Sequence, residues 1–165
     1  MPFNKNKSKI LIILTGGTIC SCEDSNGERS SQADTAQYKI TSIFSESDSP
    51  YNNVEFDYLI STDILSENMT VKTWNKLLSD FRALGSAEEY AGIIVLHGTD
   101  TLAYTSSLLS VMLTHLNIPT FLVSAQLPLD NKATNGNAND EEYDVNGVYG
   151  SDNRMSYGFG LLINT

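Results

Sequence analysis

Two short polar turns, each at the end of an apolar run, constrain this chain more than any other feature. Lys9-Ile10-Leu11-Ile12-Ile13-Leu14 leads into Thr15-Gly16-Gly17-Thr18, and Ala91-Gly92-Ile93-Ile94-Val95-Leu96 leads into His97-Gly98-Thr99-Asp100-Thr101. Unbroken runs of β-branched residues and leucine read as strands buried on both faces, the pattern of a parallel sheet covered by helices. If both runs are parallel strands of one sheet, both turns leave it at the carboxyl edge, where open α/β sheets place their ligands. Small residues, hydroxyls and one carboxylate would then converge on one cleft, a combination suited to reactivity rather than to packing.

Elsewhere strand and helix signals alternate, which argues for a single α/β domain over residues 1–165 with helices packed over the sheet. Val54–Ile60 reads as a strand. Val71, Trp74, Leu77, Leu78, Phe81 and Leu84 recur at helical spacing, with Thr70 as N-cap and Gly85 as stop. A second helix is expected over Leu102–Leu116, capped by Asp100 or Thr101, and Phe121–Val123 and Gly158–Ile163 read as further strands. Cys22 to Thr41 is polar with almost nothing to bury, so it is expected to be a long loop, either a lid or disordered. Asn131 to Ser156 carries no helical period.

Bulk properties exclude several function classes. A formal net charge of −10 opposes binding to nucleic acid or to anionic membranes. The apolar runs are far shorter than the roughly 20 residues of a membrane span. The run after the first lysines is too short for a secretory signal and ends in a glycine turn, so a cytoplasmic location is expected. Cys20 and Cys22 are the only cysteines; a C-x-C pair seldom closes on itself, and free thiols suit a reducing compartment. His97 and His115 lack ligand-spaced partners, so no metal is expected.

Each polar segment has an ordinary reading and a chemical one. Thr15–Thr18 is a glycine turn of any doubly wound sheet, or it presents Thr18 as a nucleophile to a substrate that approaches the bare backbone of Gly17. Neither G-x-G-x-x-G nor G-x-x-x-x-G-K-[ST] is present, and no helical pattern follows the turn, so a phosphate cradle in a nucleotide-binding domain stands only as a minor third reading. Asp100 either caps the next helix or holds a substrate ammonium. His97 reads as a structural residue bonded to its own turn. Ser66-Glu67-Asn68-Met69-Thr70 is a capping segment, or a hydroxyl and an acid for the two charged groups of an amino acid. Glu142 to Asn153 partly mimics a calcium loop but has the wrong residues at its two ends, and reads as a solvated acidic loop.

Four segments in register, T-G-G-T-I at Thr15, S-E-N-M-T at Ser66, H-G-T-D-T at His97 and S-A-Q-L-P-L at Ser124, together resemble the amino-terminal domain of bacterial L-asparaginases. The resemblance implies a three-layer, flavodoxin- or Rossmann-like, mostly parallel sheet with helices on both faces. It implies hydrolysis of the side-chain amide of L-asparagine, and of L-glutamine in some members, without metal or cofactor. By motif position Thr18 would be the nucleophile that forms an acyl-enzyme. Thr99 would be the second catalytic hydroxyl, and Asp100, supported by Glu67, would bind the substrate ammonium. Ser66 would take the α-carboxylate, and Gly17, Gly98 and Ala125 would give backbone contacts. Glu67 stands where many members carry Gln or Ser, which leaves glutamine use open. A homodimer or homotetramer is implied by analogy.

Three departures qualify this resemblance. The family's catalytic lysine lies in a segment expected beyond Thr165, and the smaller carboxy-terminal domain is absent from these residues. The expected loop tyrosine has no clear match, Tyr38 coming later than the pattern asks. The chain is therefore expected to be the amino-terminal part of a longer enzyme or a truncation with little turnover. A non-catalytic module that binds an amino acid or a partner is the alternative.

Overall fold

The computed structural model describes residues 9–23, 26, 29–46, 53–114, 116–125, 129 and 159–162. The elements in chain order are β1 (Lys9–Gly16), β2 (Ser21–Glu23), β3 (Arg29–Ser31), α1 (Ala33–Glu46), β4 (Glu55–Ile64), α2 (Val71–Ala83), β5 (Gly92–Leu96), α3 (Leu102–Met112), β6 (Thr120–Ser124) and β7 (Phe159–Leu162). Short 3-10 turns at Thr18–Cys20 and Ser66–Asn68 follow β1 and β4.

The first apolar run becomes the strand that organises the sheet. Its side chains alternate between two cores: Leu11 and Ile13 join Leu77, Phe81, Ile93, Val95, Leu109 and Leu122 under α2 and α3, whereas Ile12 and Leu14 join Ile19, Ala33, Ala36 and Leu96 under α1. Ile13 and Leu14, one per face, are both 0% exposed. Full burial of each such side chain stabilises the fold by about 1.5–3 kcal/mol. A strand covered on both sides needs no polar alternation, which explains the unbroken run in the sequence.

The main sheet has the order β4-β1-β5-β6-β7. β1 pairs in parallel with β4 (Ile12 opposite Tyr58) and with β5 (Ile12 opposite Ile94). β5 pairs in parallel with β6, and β7 returns antiparallel to β6. With the β2–β3 hairpin set aside, the order is the 2-1-3-4-5 of flavodoxin-like sheets, and the reversal falls between β1 and β5. The chain leaving these two strands leads to helices on opposite faces of the sheet, α1 and α3.

α2 begins as its sequence predicts. The Thr70 hydroxyl accepts from the Thr73 amide at 3.3 Å, and the Thr73 hydroxyl takes the Thr70 amide in return. Beyond the helix Gly85 adopts φ +63°, the left-handed stop that glycine allows at low cost. Boundaries move elsewhere: β4 runs on to Ile64, and α3 gives way at Met112 rather than at Leu116.

One expectation is overturned. Cys22 to Thr41 is not a loop: β2 and β3 form a hairpin, with Cys22 opposite Ser30, and α1 covers one sheet face. The helix was hidden because it packs through Ala33 and Ala36, 0% and 3% exposed, rather than through large apolar residues. Its first amide, Ala33 N–H, donates to Asp63 Oδ1 of β4 at 3.1 Å. The expected aperiodic stretch Asn131–Ser156 and the acidic Glu142–Asn153 segment lie outside the described residues. No helix among the described residues is long and apolar enough to cross a membrane.

Phe81 is 0% exposed at the centre of the α2 face. Phe81→Ala should therefore lower unfolding free energy by about 3–5 kcal/mol, read from urea denaturation followed by circular dichroism.

Candidate active site

The bases of the two polar turns are laced to their neighbours by hydrogen bonds. Thr15 Oγ1 donates to the Leu96 carbonyl at 2.9 Å, tying the end of β1 to the end of β5. Thr62 Oγ1 donates to the Thr15 carbonyl at 3.0 Å, and Gly17 N–H donates to the Ile64 carbonyl at 2.8 Å. His97 N–H donates to the Val123 carbonyl of β6 at 2.9 Å. Four neighbouring strands thus fix where the turns begin.

The turns meet at their glycines. Gly16 and Gly17 hold φ of +100° and +77°, a region that side-chain-bearing residues rarely adopt. Space alone would exclude a side chain there too: a Cβ on Gly17 would overlap Gly98 Cα and N, and one on Gly16 would overlap the Ile64 carbonyl. Thr18 follows the first glycine contact and Thr99 the second. Both threonines are half-buried, whereas Gly17 and Gly98 are buried.

Ser66 brings in a third segment. It is 4% exposed, and a Cβ on Gly98 would overlap its Oγ and Cβ. Ser66 Oγ donates to Asp100 Oδ2 at 3.1 Å and accepts from Asp100 N–H at 3.2 Å, while Thr101 Oγ1 donates to the Ser66 carbonyl at 3.1 Å. Asp100 itself is exposed, so its carboxylate faces water with one oxygen tethered. The turns after β1, β4 and β5 therefore converge, with Gly17, Ser66, Gly98 and Asp100 in direct contact chains and Thr18 and Thr99 beside them.

Other expected residues are placed less tightly. Glu67 shares the 3-10 turn of Ser66 and is exposed. Ala125 follows β6, half-buried against the core beneath α1. Tyr38 lies on α1 with 72% of its surface exposed. Neither Asp100 nor Thr101 caps α3 through its side chain; Thr101 occupies the N-cap position, but its hydroxyl is given to Ser66.

His97 bonds its own turn as read from the sequence, and its surroundings add Thr105, together with a polar contact for Trp74, which the sequence marked only as part of a helix face. The ring is 0% exposed; Nδ1 lies 2.8 Å from the Gly98 carbonyl and Nε2 lies 2.9 Å from Thr105 Oγ1. Trp74 Nε1 donates to the same Thr105 oxygen at 2.8 Å. Burial pushes the imidazole pKa down, against a smaller opposite effect of the Gly98 carbonyl, so the ring is neutral near pH 7. The pairing of Trp74 with Thr105 gave no signal because each sits at an ordinary helical position, and only packing of α2 on α3 joins them.

Both cysteines are free. Burial, with help from the Asp63 charge, pushes the Cys20 thiol up to about 12. Cys22 is half-buried, and Lys39 Nζ donates to its sulfur at 3.3 Å.

An α/β sheet thus gathers hydroxyl-bearing turns at its topological reversal, supported from beneath by four strands. The family model described as "Asparaginase, N-terminal" matches residues 9–141, and the chain belongs to the asparaginase family, as its amino-terminal domain. It is 39% identical over 74 residues to L-asparaginase 1 of Escherichia coli (strain K12), covering 45% of this chain and 21% of that protein. It is 36% identical over 137 residues to a glutamyl-tRNA(Gln) amidotransferase subunit of Saccharolobus islandicus, covering 82% of this chain and 29% of that one. The solved structure of a probable cytoplasmic L-asparaginase from Campylobacter jejuni superposes with a TM-score of 0.56 at 29% identity, over 74% of this chain and 36% of the other. The chain thus spans about a third or less of the length of these relatives.

Two outcomes follow from this geometry. Gly17→Ala should cost about 1–3 kcal/mol of stability, measured by thermal unfolding, because both its φ and its contact with Gly98 exclude a methyl group. A thiol reagent at neutral pH should modify Cys22 first and reach Cys20 only on unfolding, as read by mass spectrometry of quenched samples.

Proposed function

We propose that this domain carries the nucleophile and most of the substrate contacts of an amidohydrolase that converts L-asparagine to L-aspartate and ammonia. The observation that supports this most is the contact of Gly17 with Gly98, which sets the segments bearing Thr18 and Thr99 side by side. In this reading Thr18 Oγ attacks the side-chain amide carbon and a new C–O ester bond forms. The C–N bond then breaks, and ammonia departs with the proton that the hydroxyl gave up. Water next attacks the ester, aided by Thr99, which releases L-aspartate and restores the Thr18 hydroxyl. Backbone amides of the glycine turns would meet the charge developing on the carbonyl oxygen, a contribution of about 3–4 kcal/mol per donor in comparable sites.

Asp100 is the ammonium ligand in this scheme, and its exposure supports that role: one carboxylate oxygen is bonded to Ser66, the other is open to a cation. Ser66 has a single hydroxyl proton and gives it to Asp100. To hold a substrate carboxylate it must turn that O–H away from Asp100, so the two assignments are coupled. Glu67, exposed on the same turn, supports the ammonium or selects against the longer glutamine. A cytoplasmic location is part of the proposal, supported by the Campylobacter jejuni protein described as cytoplasmic. A homodimer or homotetramer rests on family likeness alone.

Similarity to the Saccharolobus islandicus amidotransferase protein extends over more of this chain than similarity to the Escherichia coli enzyme, 82% against 45%. That favours a second reading, in which the same amide chemistry serves an amidotransferase rather than a free hydrolase. Ammonia release by the full-length gene product decides between them. Turnover of asparagine alone supports the hydrolase, and turnover only with a separate acceptor substrate supports the amidotransferase. Thr18→Ala and Thr99→Val should each lower turnover by about 10²–10⁴-fold; activity that survives both substitutions overturns the proposed chemistry.

A further inference from the structure

Below the candidate cleft, a row of three side chains runs from α2 through α3 to the turn after β5: Trp74, Thr105 and His97, with separations of 2.8 Å and 2.9 Å. The row ends on the Gly98 carbonyl, 2.8 Å from His97 Nδ1. Gly98 is the residue on which Gly17 and Ser66 both press.

The chemistry of the two ends fixes every proton between them. A carbonyl oxygen only accepts, so His97 Nδ1 carries the hydrogen and donates. A neutral imidazole has one N–H, so Nε2 is the acceptor and Thr105 must donate to it. An indole N–H only donates, so Thr105 Oγ1 accepts from Trp74 with a lone pair while its own hydrogen points to the ring. All donors and acceptors in the row are used once, in one direction. The ring and the Thr105 side chain are both 0% exposed, so water does not compete.

We infer that Trp74, Thr105 and His97 form a one-way hydrogen-bond chain that sets the plane of the Gly98–Thr99 peptide, which makes His97 a positioning residue of the cleft rather than a catalytic one. The route is the backbone. A trans peptide is planar, so holding the Gly98 C=O in one direction holds the Thr99 N–H in the opposite one, together with the start of the Thr99 side chain. Ser66 and Gly17 fix the position of Gly98; His97 fixes its rotation. Loss of the ring bond frees that rotation without opening the core. The inference rests on the amidohydrolase reading for its effect on rate, but not for its proton assignments.

The test separates these two dependences. In the 165-residue chain, ¹⁵N NMR of the His97 ring should show Nδ1 protonated and Nε2 bare. Thr105→Val, which keeps the shape and removes the hydroxyl, should leave Nδ1 protonated but shift the Nε2 resonance to that of a nitrogen without a donor, and Thr105→Ser should restore it. In the full-length gene product Thr105→Val should lower kcat by about 10–100-fold, the scale of a small misplacement of a reacting group. KM should stay within about twofold, and Thr105→Ser should recover most of the rate. A ring protonated at Nε2 overturns the proposal whatever the activity, and this wild-type measurement decides even if Thr105→Val does not fold. A folded Thr105→Val with unchanged kcat also overturns it. A full-length protein that hydrolyses no amide while its ring is protonated at Nδ1 overturns the amidohydrolase reading and the positioning role with it, and leaves the proton assignments standing.

Discussion

The close approach of two backbones, at Gly17 and Gly98, is the constraint on which the site depends. Two strands of a parallel sheet lie near 4.8 Å apart, and the segments leaving them ordinarily separate as side chains fill the gap. Here neither residue carries a side chain, and Cβ atoms on either one would overlap the other turn or Ser66. The reversal of strand order between β1 and β5 places these turns together, and glycine lets them touch. Every polar feature of the edge follows from that contact, including the reach of Ser66 to Asp100 and the entry of Gly98 into the His97 hydrogen-bond row.

Rigid support and exposed chemistry are divided between layers. The bases of the turns are tied to β4, β5 and β6 by bonds of Thr15, Thr62, Gly17 and His97, all to backbone carbonyls. Such bonds resist displacement because each leaves a buried acceptor unpaired if broken, at a cost of about 1–3 kcal/mol. Of the side chains proposed to meet substrate, Thr18 and Thr99 are half-buried and Asp100 and Glu67 exposed, while Ser66 is buried. A hydroxyl or carboxylate there can meet a ligand without dismantling the sheet. This is the usual economy of a site grafted onto a scaffold, where function belongs to a few side chains and the fold supplies their coordinates.

Much of this arrangement was legible in the sequence, and the unread parts share a physical cause. Ile10–Leu14 and Ile93–Leu96 announced buried strands because no polar residue interrupts them, and Thr70 and Gly85 marked the ends of α2 through local backbone chemistry. Motif spacing tied Thr18, Ser66, Thr99 and Asp100 to one family, and strand order alone would have sent their turns to one edge. Helix α1 escaped because its contact with the sheet is made by Ala33 and Ala36, whose small size permits close packing but gives little apolar signal. Trp74 and Thr105 escaped for a different reason: their partnership crosses two helices, and no one-dimensional period records it. The commitment of Thr101 to Ser66, in place of a helix cap, was likewise visible only once three segments had been brought together.

The strand shared by both cores precedes both of its partners in the chain. β1 emerges from the ribosome with apolar side chains on both faces, but its partners are β4, starting at Glu55, and β5, starting at Gly92. During synthesis one of its edges must wait for Glu55 and the other for Gly92. Parallel pairing across such separations is slow and leaves hydrophobic edges open to other nascent chains. The order in which this topology is read out thus sets how long the edges of its central strand stand uncovered.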